Sequence, residues 1–439
     1  MKSNKGVKKF IAAAGIALTL GVTAVFGGCA YARDGINGKD LNIYDIYEAA
    51  KVESGNADMT FTEFLRDYLS YNPDDIENAV TLQTSINNSL LSSVSVRSKF
   101  TENGNAVEYG GSGVIIDVDT GRGDMTVVTN CHVVYSAKSR QYSTDDGFAD
   151  DVNIWLYGSE SNYEQTYEKN AIRAQLIAAS KTYDVALLKV TGSELVKKSK
   201  AKAAKWSQSE EIYLGETVYA IGNANSQNLS ANVGYISKDL ETVSVDLGTS
   251  GSKEIYEYSV LRTSAAINSG NSGGGLFNLS GEIVGLVNSK GKSDAAGFGY
   301  ALTAASTKRA VASMLENYAE TLQEAHYINY VRHGIEVEVT DMYSTGLNQS
   351  GYAEIYEQVK VSSVSLSAAS GKIEGGDWIK HIKIMRGDTV VEDMDINREH
   401  NFHDAMLSVR SGDKVVFTVV RGDNEFEQSV TYTSFERLA

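Results

Sequence analysis

Between Thr84 and about Thr303 the chain runs as short apolar stretches broken by glycine, asparagine and aspartate. Gly113-Val114-Ile115-Ile116, Met125-Thr126-Val127-Val128 and Val185-Ala186-Leu187-Leu188 are examples. That rhythm predicts an all-β region built of hairpins. From Ser306 to Ala325 the period changes: Val311, Met314, Leu315, Tyr318 and Leu322 share one helical face. Apolar runs return after residue 326. Upstream, Asn42–Lys51 and Thr60–Leu69 have helical spacing, and Thr60 with Glu63 reads as a capping box. The polar stretch Ser136–Asp151 predicts an exposed insertion.

At 439 residues, two or three domains are expected. A hydrophobic share of 42% and a charged share of 22% are those of an ordinary globular protein. The net charge is −16, and −20 once the four lysines of residues 1–28 are set aside. Such a surface repels nucleic acid and anionic lipid. Residues 1–28 read as an export signal: a lysine-rich start, an uncharged run from Phe10 to Phe26, then Gly27-Gly28-Cys29. The ending looks like a bacterial lipoprotein processing site, with Cys29 as the lipid-bearing first residue. A plain signal peptide and an uncleaved anchor are the alternatives, and all three place the bulk outside the cytoplasm. The second cysteine, Cys131, then stands alone; a Cys29–Cys131 bridge is the other reading. No cluster of Cys, His and carboxylates has metal-ligand spacing, and no cofactor motif is present.

Ala265-Ala266-Ile267-Asn268-Ser269-Gly270-Asn271-Ser272-Gly273-Gly274-Gly275 sets Ser272 among four glycines. A serine hydroxyl attacks only when a base takes its proton and donors hold the resulting oxyanion. His132 is the one histidine in the first 325 residues, at the end of the run Met125–Val134. Asp184 opens the apolar run Val185–Val190, where a carboxylate is costly to bury without donors. Alone, each has a plain structural reading: hairpin turn, surface or core histidine, strand-capping aspartate.

Together these pieces resemble the trypsin-like serine proteases of the HtrA/Deg family. The order His132, Asp184, Ser272 is the chymotrypsin-type order. Further matches are Thr129-Asn130-Cys131-His132-Val133-Val134, Ala220-Ile221-Gly222-Asn223, Asn232-Val233-Gly234-Tyr235-Ile236-Ser237, Gly281-Glu282-Ile283-Val284-Gly285 and Gly297-Phe298-Gly299-Tyr300-Ala301.

The resemblance implies a mainly β fold. A chymotrypsin-like double β-barrel (83–305) follows the signal (1–28) and a short helical segment (29–82). A linker helix (306–325) and a PDZ-like α+β domain (326–439) complete the chain. It implies Ser272 as nucleophile, His132 as base and Asp184 as the group orienting the imidazole. The N–H groups of Gly270 and Ser272 would form the oxyanion hole. Ala266 would floor the first substrate pocket and Leu286 and Val287 line its wall, favouring small or medium aliphatic side chains. Ser269 and Gly275 stand where the family has proline, which predicts a pliable loop and a collapsed resting oxyanion hole. Arg332-His333-Gly334-Ile335 looks like a PDZ carboxylate-binding loop, so His333, Gly334 and Ile335 would hold a peptide with a free C-terminus.

The implied partners are protein or peptide substrates, the PDZ ligand, the membrane through an N-terminal lipid or anchor, and in a homotrimer other copies of the chain. The competing readings are a catalytically silent surface lipoprotein that binds proteins, and an adhesin working through its helical N-terminus.

Overall fold

The computed structural model describes residues 73–438 apart from 103, 143–145, 161–167, 208–211, 250, 291–297, 322–326, 349–350, 367 and 434, together with Tyr47, Lys51, Gly55, Ala57 to Thr60 and Glu63. Cys29 and the export signal lie outside the described residues. The chain divides into two compact units, 1–84 and 85–439. In the first, the expected capping box is present: Thr60 N–H donates to Glu63 Oε2 at 2.7 Å, and Glu63 N–H to Thr60 Oγ1 at 3.2 Å. The chain's single proline, Pro73, opens the helix Pro73–Leu90, where a missing N–H costs nothing.

Six strands close the first barrel: β1 (Ser93–Glu102), β2 (Asn105–Asp119), β3 (Asp124–Thr129), β4 (Asp151–Leu156), β5 (Ile172–Ser180) and β6 (Val185–Val190), in the order β1-β2-β3-β6-β5-β4. The next strands are β7 (Lys205–Trp206), β8 (Thr217–Gly222), β9 (Ser230–Asp246), β10 (Ile255–Thr263), β11 (Gly275–Asn278), β12 (Glu282–Lys290) and β13 (Gly299–Thr303). They run β11-β8-β9-β10-β13-β12, and a β11–β12 pairing closes this second ring, with β7 added parallel to β12. The two barrels that the resemblance implies are therefore present. Alternate residues fill each interior: Val94, Val96, Ile115, Val127 and Leu188 in the first, Val218, Ala220, Leu261, Leu276 and Val287 in the second.

A helix, Ala304–Thr321, leads out of the second barrel. Thr303 Oγ1 accepts from Ser306 N–H at 3.2 Å and so caps its start. Val311 and Met314 are buried as the spacing predicts, but Leu315 is 38% exposed, one step outside the stripe. Beyond it lie β14 (Ile328–Val331), β15 (Ile335–Leu347), β16 (Ala353–Val364), β17 (Trp378–Arg386), β18 (Thr389–Asp395), β19 (Lys414–Arg421), β20 (Asn424–Thr431) and β21 (Phe435–Leu438). The main sheet runs β15-β16-β17-β19-β20, with β18 on β17, β14 paired with β21, and the helix Glu399–Leu407 beside it. On β17 the buried isoleucines are 379, 382 and 384. A bulge between Ile379 and His381 shifts the alternation by one and keeps all three inward.

This sheet is fastened to what precedes it by partly buried charge pairs. Arg398 reaches Asp239 of β9 at 2.7 Å and Glu357 of β16 at 2.9 Å. Arg309 of the long helix meets Glu392 of β18 at 3.0 Å.

One expectation needs correction. The stretch 136–151 is not simply an exposed insertion. It holds a helix, Ala137–Tyr142; Ser136, Ala137 and Ser139 are buried; and Phe148 packs on Tyr135 with ring centres 5.3 Å apart. Its few apolar residues suffice to anchor it.

Candidate active site

His132 sits in a single helical turn, Cys131–Val134, directly after β3. Asn130 is at the N-cap but makes no side-chain cap bond. Its amide instead donates to the main-chain oxygen of Asp184 at 2.9 Å. Asp184 supplies the missing cap from 52 residues away: its Oδ1 accepts from His132 N–H at 2.9 Å. Its Oδ2 accepts from the imidazole Nδ1 at 2.8 Å and from Asn288 Nδ2 at 2.5 Å. This carboxylate is fully buried and satisfied by three donors, which is what its burial requires.

Asp184 also takes a left-handed backbone, φ 49°, at the turn before β6. Aspartate tolerates that conformation better than most residues. The bonds from Asn130 to its carbonyl and from its own N–H to Lys181 O at 3.3 Å hold it there. With Nδ1–H facing the carboxylate, the free lone pair of His132 is on Nε2. Burial depresses the imidazole pKa, the Asp184 charge and hydrogen bond raise it, and the balance lies above the ordinary value of 6.5. The ring remains 27% exposed, so it is open to solvent and substrate.

Ser272 lies in the loop between β10 and β11. Its hydroxyl donates to the Asn288 carbonyl at 2.8 Å, its one hydrogen bond among the described residues. Asn288 thus joins the two halves of the site: its side chain holds Asp184 and its main chain holds Ser272. Two glycines permit the loop's path. Gly270, at φ +96°, would place a Cβ 2.2 Å from Asn223 O; Gly273, at φ +82°, would place one 2.2 Å from Thr129 Oγ1.

The expected pliability is offset by hydrogen bonds. Ser269 O accepts from Asn225 N–H at 2.6 Å and Gly270 O from Ser112 Oγ at 2.7 Å. Ser272 O accepts from Ser112 N–H at 2.8 Å, and Gly273 N–H donates to Val287 O at 2.8 Å. Because the 269–270 peptide is trans and planar, fixing Ser269 O on Asn225 turns the Gly270 N–H the opposite way. Neither Gly270 N–H nor Ser272 N–H has a protein acceptor among the described residues.

Elsewhere the sequence reading is revised. Leu286 and Val287 are fully buried, Val287 within the second barrel, so they do not line a pocket. Ala266 is exposed at the surface. Its buried neighbour Ile267 closes against Gly299, where a Cβ would lie 2.1 Å from Ile267 Cγ1. Cys131 points into the first barrel core, and burial pushes its thiol pKa up, so it stays protonated beside the imidazole.

At the C-terminal loop, Ile335 N–H donates to His333 Nδ1 at 3.0 Å, and the Tyr330 hydroxyl lies 2.7 Å from His333 Nε2. His333 N–H donates to Val331 O at 2.9 Å. Two of the three N–H groups expected to meet a carboxylate at His333, Gly334 and Ile335 are thus already taken. Sequence reasoning missed Asn288, Asn130 and Ser112. The signal for Asn288 was an amide closing the apolar run Ile283–Val287.

Two closed barrels with a His–Asp pair and a glycine-flanked serine brought together by Asn288 define a chymotrypsin-like fold with the parts of a serine hydrolase. Residues 111–286 match the family described as trypsin-like peptidase domain. Over 231 residues the chain is 33% identical to serine protease Do-like HtrA of Bacillus subtilis (strain 168), covering 52% of this chain and 43% of that protein. It is 31% identical over 209 residues to periplasmic serine endoprotease DegP of Escherichia coli (strain K12), covering 47% of this chain and 36% of that one. The match thus spans less than half the length of these relatives. A solved HtrA-type protease AlgW with tripeptide shares the fold at a TM-score of 0.50 and 21% identity, over 81% of this chain and 97% of that one. Over about half of its length the chain is thus similar to the HtrA/DegP serine proteases, and residues 111–286 to a trypsin-like peptidase domain.

Proposed function

We propose that this protein is a serine endopeptidase that cleaves peptide bonds in extracytoplasmic proteins. The observation that supports the reading is Asn288, whose main chain holds Ser272 and whose side chain holds the buried Asp184 that bonds to His132. The mechanism requires the Ser272 side chain to rotate between staggered positions, its hydroxyl leaving Asn288 O for His132 Nε2. His132 then accepts the hydroxyl proton as Oγ bonds to the substrate carbonyl carbon. The Gly270 and Ser272 N–H groups hold the oxyanion. The C–N bond breaks as His132 returns that proton to the leaving amine. Water, deprotonated by His132, attacks the acyl-enzyme, and the proton passes back to Ser272. Asp184 keeps the tautomer and balances the imidazolium charge without being protonated.

Export with lipid attachment at Cys29, a role in protein quality control and a PDZ-like regulatory domain complete the proposal. Among the described residues β15 ends the sheet order, an edge to which a peptide could add a strand. Capture of a C-terminal carboxylate there requires His333 to release Ile335 N–H. Assembly as a homotrimer is part of the same proposal.

The resting bond from Ser272 to Asn288 rather than to His132 favours a second reading, a silent scaffold that binds proteins. Casein digestion by wild type beside Ser272→Ala separates the two: hydrolysis lost in the variant supports the peptidase, and none by either supports the scaffold.

A further inference from the structure

The segments carrying His132 and Asp184 belong to the first barrel, while Ser272 belongs to the second, so catalysis needs something to hold the barrels in register. We propose that Glu254, at the base of the β9–β10 hairpin tip, is a positioning residue that clamps both first-barrel segments at once. This rests on the serine peptidase reading above.

Glu254 is well placed for the task. It directly precedes β10, and β10 leads at its other end into the loop bearing Ser272. Its backbone is fixed by the hairpin itself: Asp246 Oδ1 accepts from Glu254 N–H at 3.1 Å, and Glu254 O accepts from Leu247 N–H at 2.9 Å. The carboxylate accepts from Tyr135 OH at 3.2 Å and meets Lys181 Nζ at 3.5 Å. Tyr135 is the C-cap of the turn that holds His132. Lys181 opens the turn that ends at Asp184, whose N–H returns to Lys181 O.

The cluster is closed on itself. Lys181 Nζ lies 4.9 Å from the centre of the Tyr135 ring, a cation–π contact that ties the His132 turn to the Asp184 turn. A second second-barrel residue, the buried Tyr258 of β10, donates from its hydroxyl to Lys181 O at 2.9 Å. The Glu254 and Lys181 side chains are each 13% exposed, so solvent screens the pair only weakly. One carboxylate on a strand that leads to the nucleophile therefore grips the supports of both the base and its orienting group.

The test compares Glu254→Ala, which removes both contacts, with Glu254→Gln, which keeps an acceptor for Tyr135. In the full-length protein Glu254→Ala is expected to lower kcat by about 10- to 100-fold, the scale of a small misplacement of reacting groups, with KM unchanged. Glu254→Gln is expected to restore most of it. The low-field proton resonance of the His132 Nδ1–H shifts or broadens in Glu254→Ala. Wild-type kcat in Glu254→Ala, or a fall in KM-linked binding alone, overturns the clamp. If wild type shows no Ser272-dependent hydrolysis, the peptidase reading fails and the proton resonance alone decides: shifted supports the clamp, unmoved overturns it. Should Glu254→Ala not fold, Lys181→Met and Tyr135→Phe, singly and combined, provide the same comparison, non-additive losses supporting the clamp and additive ones refuting it.

Discussion

Replacing Asn288 by alanine removes the 2.5 Å amide donor on Asp184 Oδ2 and leaves the main-chain carbonyl that parks Ser272. Asp184 keeps its two bonds from His132, at 2.9 and 2.8 Å, so the pair persists but is held by fewer restraints. A hydrogen bond to a buried charge contributes about 1.5–3 kcal/mol. If all of it serves to hold the His132–Asp184 pair in the transition state, kcat falls roughly 10- to 150-fold, at about 1.36 kcal/mol per factor of ten. Binding contacts are untouched, so KM should hold. The assay is steady-state hydrolysis of a fluorogenic peptide, with thermal melting to confirm the fold. An Asn288→Ala enzyme with wild-type kcat would refute the bridging role; a change confined to KM would place Asn288 in substrate binding instead.

The raised His132 pKa sets the acid limb of the rate profile, since only neutral imidazole accepts the serine proton; half-maximal kcat/KM should fall above pH 6.5, as read from a pH series. Gly270→Ala sets a Cβ against Asn223 O at a positive φ and should displace the oxyanion donor, lowering kcat by about 10²–10³-fold, as measured on the same fluorogenic peptide. His333 and His400 are held near a pKa of about 4, by burial first and then by the charges of His403 and Arg398 respectively. Their folded-state values lie below the unfolded 6.5, so that stabilisation is whole above 6.5 and drains as pH falls toward 4, up to about 3 kcal/mol for each. Thermal melting between pH 7 and 4 should show the loss, and a His333→Gln, His400→Gln double variant should flatten it. His132 acts in the opposite direction, its contribution being present below 6.5 and lost as pH rises through its raised value.

The strands were legible as short apolar runs between turn residues, almost wholly buried in β6 and β8 and with Val94 and Val96 sharing the interior face in β1, while their closure into barrels was legible only through the resemblance. His132, Asp184 and the glycines round Ser272 were legible because their chemistry restricts the residue type. The pocket wall was not: Leu286 and Val287 are apolar because they are core, and composition does not distinguish a residue lining a cleft from one filling a barrel. The rigidity of the Ser272 loop was hidden for a different reason. It depends on Ser112 and Asn225, far away in sequence and unremarkable in type. The C-terminal loop misled because His333 turns back onto the N–H of Ile335, a contact that depends on backbone path rather than on pattern.

The claim at the centre of this account is that Ser272 becomes a nucleophile through His132. Incubation with a fluorophosphonate followed by peptide mass spectrometry tests it without needing the natural substrate. The account predicts a single adduct on Ser272 that disappears in His132→Ala; no adduct on Ser272, or one that forms equally well without His132, would contradict it.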